Sequence, residues 1–141
     1  MNGVNGGAKT LKEKWNKEYT SKFDIDLKFG EGYEYSLARI LSLGKIEVKT
    51  ERDTWKKTGN VAIELACRGK LSGLNTTKAE WWAQILTIKG EIKAILLFPI
   101  EKLKKIVKKS VFEGHGKMKM GGDGDESELA LIPLKDLVDG I

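Results

Sequence analysis

The stretch Gly44-Lys-Ile-Glu-Val-Lys-Thr-Glu51, followed by Asn60-Val-Ala-Ile-Glu-Leu-Ala66, decides how this chain is read. Both segments alternate apolar and polar residues, the period-two pattern of half-buried strands. The connection Arg52–Gly59 is polar and ends in Thr58-Gly-Asn60, which predicts an antiparallel hairpin. In the first strand Ile46 and Val48 share one face, and Glu47 and Lys49 the other. In the second, Val61, Ile63 and Leu65 share a face, and Glu64 stands opposite between Ala62 and Ala66. An acid flanked by two alanines on an otherwise apolar strand is an unusual choice. If the strands pair, Glu47, Lys49 and Glu64 project from one side of the sheet.

Upstream, Thr10 and Glu13 form a capping-box pattern ahead of Leu11, Trp15 and Tyr19 on one helix face. Phe23–Phe29 alternates as a strand. Tyr33–Leu43 predicts a short helix with Leu37, Ile40 and Leu41 inward and Gly44 as its stop. Downstream, Thr76–Glu80 opens a short helix that carries Trp81 and Trp82. Gln84–Lys89 and Ile92–Pro99 read as strands joined across Gly90. Ile100–Ser110 is an amphipathic helix with Leu103, Ile106 and Val107 inward. Leu129–Leu134 is a last strand and Leu134–Val138 a helical end. The predicted fold class is mixed α/β (α+β), a single domain with a central mixed sheet flanked by helices. Residues 1–9 read as a loose tail and residues 10–141 as that domain.

Composition narrows the function classes. With 40% hydrophobic residues, the 141-residue chain has enough for a core. No apolar run reaches the roughly 18 residues of a membrane span, so no membrane partner is expected. No charged-then-apolar leader opens the chain, and Cys67 stands alone; both fit an intracellular, cytoplasmic setting. One cysteine and one histidine argue against a Cys/His zinc site. The net charge of +5 permits a polyanionic partner. It is unevenly spread: lysines crowd Glu101–Met120, and acids dominate Gly121–Ile141. A lysine-rich helix face is more often solvated than a docking surface.

Two carboxylates on rigid strands can bind Mg²⁺ through oxygen, with water completing its shell. The ion lowers the pKa of bound water and stabilises charge on a phosphoryl oxygen. A nearby lysine stabilises the transition state. Glu-x-Lys alone is a weak signal, since Glu91-Ile-Lys93 repeats it on a hairpin and a cross-strand ion pair explains either.

The longer run is more specific. Glu47-Val-Lys49, Thr58-Gly-Asn60, Ile63-Glu64, Arg68-Gly-Lys70, Ser72-Gly73 and Thr76-Thr-Lys-Ala-Glu-Trp81 resemble small phage and prophage members of the PD-(D/E)XK nuclease superfamily. The resemblance covers residues 22 to 110 and implies a restriction-endonuclease-like fold. By it, Glu34 matches the acid of the first helix, and Glu47 with Lys49 the (D/E)-x-K pair. A second alignment makes Glu47 the first acid and Glu64 the second, with Ala66 at the usual lysine position and Lys49 supplying the amine. No Pro-Asp strand precedes Glu47 in an adjacent hairpin, which departs from the family pattern. The implied activity is Mg²⁺-dependent (or Mn²⁺-dependent) hydrolysis of DNA, with metal on Glu47 and Glu64. The resemblance implies phosphate contacts from Arg52, Lys56, Lys57, Arg68, Lys70, Lys102, Lys105 and Lys109, and a homodimer is compatible with it. The alternatives are a non-catalytic DNA-binding module or a phage interaction protein that keeps the fold.

Overall fold

The computed structural model describes residues 30–139 and groups the chain into two units, Met1–Leu43 and Gly44–Ile141. The helix and strand expected at Thr10–Tyr19 and Phe23–Phe29 lie outside the described residues. In the first unit, residues 30–43 form helix α1. The Ser36 and Ser42 hydroxyls donate back to the carbonyls of Gly32 and Ala38. Leu37 and Leu41, expected inward, are 47% and 63% exposed. The described part of this unit is one helix, and one helix cannot bury its own apolar stripe.

The second unit is a mixed α+β fold. Its elements run β1 (Ile46–Glu51), α2 (Thr54–Thr58), β2 (Asn60–Cys67), β3 (Lys70–Leu71), β4 (Trp81–Ile88), β5 (Glu91–Pro99), α3 (Ile100–Phe112), β6 (Lys117–Gly121), β7 (Ser127–Pro133) and α4 (Leu134–Asp139). The strands form two sheets rather than one: β1-β4-β5 and β3-β2-β7-β6.

The β1–β2 hairpin expected from sequence is absent. Strand β1 instead pairs in parallel with β4, placing Glu47 beside Trp82 and Lys49 beside Gln84. Strand β2 pairs antiparallel with β7. The cause lies in the connection, which folds as helix α2 and closes on Gly59 in the left-handed conformation. The Trp55 indole donates to the Thr87 carbonyl at 2.8 Å and docks α2 on β4. A helix inserted between two strands turns the chain too far for a tight hairpin.

Thr76–Glu80 does not open a helix either. A 3-10 turn at Gly73–Asn75 precedes it, and both tryptophans belong to β4. Alternation resolves the paired indoles: Trp82 is 1% exposed, while Trp81 points the other way and is half-buried. Strands β4 and β5 meet across Lys89-Gly90, both at positive φ, the geometry of a two-residue hairpin turn. Strand β6 was not anticipated; its Lys-Met-Lys-Met sequence is exposed along most of its length.

One face of β2 and β7 supplies the core. Val61, Ile63, Ala130 and Ile132 pack with Leu103, Ile106 and Val107 of α3 and with Trp82, Leu86 and Phe98. Burying each large side chain contributes about 1.5–3 kcal/mol. The opposite face carries Ala62, Glu64, Leu129 and Leu131, and there the two sheets leave a cleft. Among the described residues no helix is long and apolar enough to cross a membrane.

Helix α4 is tied to α3 by polar groups. The Ser110 hydroxyl donates to Asp136 Oδ2 at 2.5 Å, and His115 Nδ1 lies 3.2 Å from the same oxygen. The serine bond, with His115 contributing, holds the Asp136 carboxyl below its usual value of 3.8. A depressed carboxylate pKa stabilises the fold above the unfolded value, and the gain disappears as pH falls through the folded value. Asp136→Asn is therefore expected to melt a few degrees below the parent at pH 6. The gap should close as the pH drops below about 3.8, which thermal melts across pH will read.

Candidate functional site

Period-two alternation puts Glu47, Lys49 and Glu51 on one face of β1. All three are partly covered, whereas Val48 on the other face is 55% exposed. The charged face of β1 is thus the inward one. A cleft of about 340 Å³ receives it, lined by Lys49, Glu51 and Arg52 from the β1 side, Trp82 and Gln84 from β4, and Ala62 and Glu64 from β2. The small side chain of Ala62 leaves the wall beside Glu64 low, which accounts for the alanine next to the acid.

Glu64 is held by hydroxyls on both oxygens: Ser72 donates to Oε1 at 2.7 Å and Ser127 to Oε2 at 3.1 Å. Ser127 arrives on the paired strand β7. Ser72 arrives because the chain folds back after β3, with the Ser72 N–H on the Leu65 carbonyl and the Asn75 amide on that same carbonyl. The β2–β7 register slips between Glu64 and Ala66, freeing Leu65 for these bonds. Gly73, at φ +53°, lets the turn pass directly against the Glu64 backbone.

Lys49 Nζ lies 2.9 Å from Glu47 Oε1 and 6.0 Å from the Trp82 ring centroid. Both charged side chains keep solvent access, at 43% and 34% exposure. Thr77 donates to Glu47 Oε2 at 3.4 Å. Gln84 is buried, and its Oε1 accepts the Trp82 indole N–H at 2.9 Å.

Glu51 joins the two sheets. Its Oε2 accepts the Ala62 N–H at 2.9 Å, so a carboxylate occupies the place a neighbouring strand would take on that edge of β2. Burial raises the Glu51 carboxyl above the usual 4.5, and the Ala62 bond works against that rise.

The structure therefore brings Lys49 and Glu64 to one cleft, from strands of different sheets rather than from a hairpin. Glu47 is not on the cleft wall and reaches it only through its ion pair with Lys49. Glu34 is exposed on α1, in the first unit. Of the expected phosphate contacts, Arg52 lines the cleft. Lys56 and Lys57 are exposed on α2, Lys70 on β3, and Lys102, Lys105 and Lys109 on α3. Arg68 is committed to Glu126 at 2.6 Å. Asp53 is a structural acceptor for the Lys89 N–H at 2.7 Å. Sequence reasoning missed Glu51 and Gln84. Glu51 was within reach, since it extends the Glu47–Lys49 face by one more period. Gln84 carries no such signal.

Among the described residues no three His, Cys, Asp or Glu side chains cluster tightly enough to hold a metal ion by themselves. Mg²⁺ does not require that, because it commonly takes one or two carboxylates and keeps water or substrate phosphate elsewhere. Glu64 suits the role chemically, since hydroxyls orient its carboxylate and lone pairs remain. Comparison with family models, with curated proteins and with solved structures gives no match for this chain.

Proposed function

We propose that this protein hydrolyses phosphodiester bonds of DNA in a Mg²⁺- or Mn²⁺-dependent reaction at the cleft between its two sheets. The observation that carries the reading is the joint placement of Lys49 and Glu64 in that cleft, with Glu51 and Arg52 beside them. Glu64 would hold the cation, with water and substrate phosphate completing its shell, and the cation would supply an activated water and charge stabilisation. Lys49 offers its ammonium to a phosphoryl oxygen, and the Glu47 pair and the Trp82 face keep it aimed. Arg52 adds a second cation for the backbone. The resemblance to PD-(D/E)XK nucleases supports the same chemistry.

The test is cleavage of plasmid and branched DNA with Mg²⁺ or Mn²⁺. Lys49→Ala is expected to lose about a hundredfold in rate, the usual scale for one transition-state contact. Undiminished cleavage by Lys49→Ala would remove the lysine from the mechanism.

A second reading is a non-catalytic DNA-binding module. The observation that favours it is that both Glu64 oxygens already serve as acceptors for serine hydroxyls. It expects salt-dependent binding without cleavage in any divalent metal.

A further inference from the structure

The cleft does not end at Glu51. A second pocket of about 230 Å³ opens beyond it, and Glu51, Ala62 and Leu129 line both. The two form one groove along the face of β2 and β7 turned away from the core. Thr54, Asn60 and Lys119 stand on the walls of the second pocket, over a floor that includes Leu129 and Leu131.

We propose that this second pocket binds the nucleotide next to the scissile phosphodiester, in an unpaired strand. The assignment rests on the nucleic-acid reading of the cleft and extends it along the chain. Its argument is the order of chemistry along the groove. Lys49 and Arg52 lie at one end and Lys119 at the other, with Glu51 and the apolar floor between. Two cationic ends are matched by consecutive phosphates, and the apolar middle by a sugar and base. Glu51 repels phosphate from the centre and accepts a hydrogen bond from a base N–H, such as the N3–H of thymine.

The wall groups are free to bind. Lys119 is exposed and makes no ion pair among the described residues. The Asn60 side-chain amide and the Thr54 hydroxyl make no hydrogen bond among them either. The Thr58 hydroxyl, by contrast, is used internally, donating to the Thr54 carbonyl and accepting the Asn60 N–H. A concave site with an apolar floor and a few uncommitted polar groups is the usual form of a small-ligand pocket. A base reaches such a floor only when unstacked, which selects a single strand over a paired duplex.

The experiment measures anisotropy of labelled oligothymidylate, and of a duplex of equal length, with the whole protein in EDTA across a salt series. The parent should bind the single strand more tightly. Lys119→Ala should weaken that binding about fivefold and lower the salt slope by about one contact. Lys93→Ala, on the β4–β5 hairpin, should change neither. Unchanged binding in Lys119→Ala, or tighter binding of the duplex, overturns the assignment. The outcomes separate it from the nuclease reading. Cleavage that depends on Lys49 with no Lys119 effect keeps the nuclease and removes the second pocket. A Lys119 effect without cleavage keeps the pocket and removes the chemistry.

Discussion

Glu64→Gln is expected to lose at least about a hundredfold in metal-dependent cleavage while melting within a few degrees of the parent. Glutamine has the same shape and still offers an oxygen and an amide to the two serine hydroxyls, which can rotate to suit. What it lacks is the charge that a hard cation requires. Glu64→Ala is a poorer probe. It would leave the buried Ser127 hydroxyl without its acceptor, a cost of about 1–3 kcal/mol that mixes folding with chemistry. Steady-state cleavage beside a thermal melt separates the effects. Glu64→Gln cleaving at the parent rate would show that the acid is structural and would remove it from the metal site.

Gly73→Ala is expected to cost about 2–4 kcal/mol of stability and to depress cleavage with it. Two penalties combine. The residue sits at φ +53°, where a Cβ is strained by roughly 1–2 kcal/mol. The added Cβ would overlap the Glu64 carbonyl oxygen and stand 2.8 Å from its carbon and 2.9 Å from the Glu64 Cβ. Backbone cannot swing aside as a flexible side chain can, so the turn must lift away and take Ser72 with it. Gly69→Ala is the control. It shares the positive φ, +72°, but its Cβ meets open space, so only the backbone penalty of about 1 kcal/mol applies. Urea denaturation of the two variants should therefore differ by at least about 1 kcal/mol. Equal losses would mean that the Ser72–Gly73 turn does not brace Glu64.

Period-two alternation located β1 and β2, apolar runs joined across Gly90 located the β4–β5 pair, and helical spacing located α3 with Leu103, Ile106 and Val107 inward. These features are local, because a strand or helix writes its buried face into residues two or three to four apart. Local pattern went wrong where two elements of different kind meet. Trp81 and Trp82 follow a turn that resembles a helix start, and only their burial between β1 and β5 makes them strand residues. The connection Arg52–Gly59 has the ending of a hairpin, yet Trp55 finds the Thr87 carbonyl and the segment closes as α2. Neither partner is visible from the segment itself.

The sequence by itself determined the mixed α+β class, the face that Glu47, Lys49 and Glu51 share, and the isolation of Glu64 between two alanines. Those follow from chain geometry, which is the same in any fold. Tertiary structure alone decided that Lys49 and Glu64 meet across two sheets, that Glu47 is one ion pair removed, and that Glu51 caps the open edge of β2. The reason is that a sheet edge is a row of unsatisfied donors whose partner is chosen by packing, not by sequence neighbours. Here β4 took the edge of β1, β7 took one edge of β2, and a carboxylate closed part of the other.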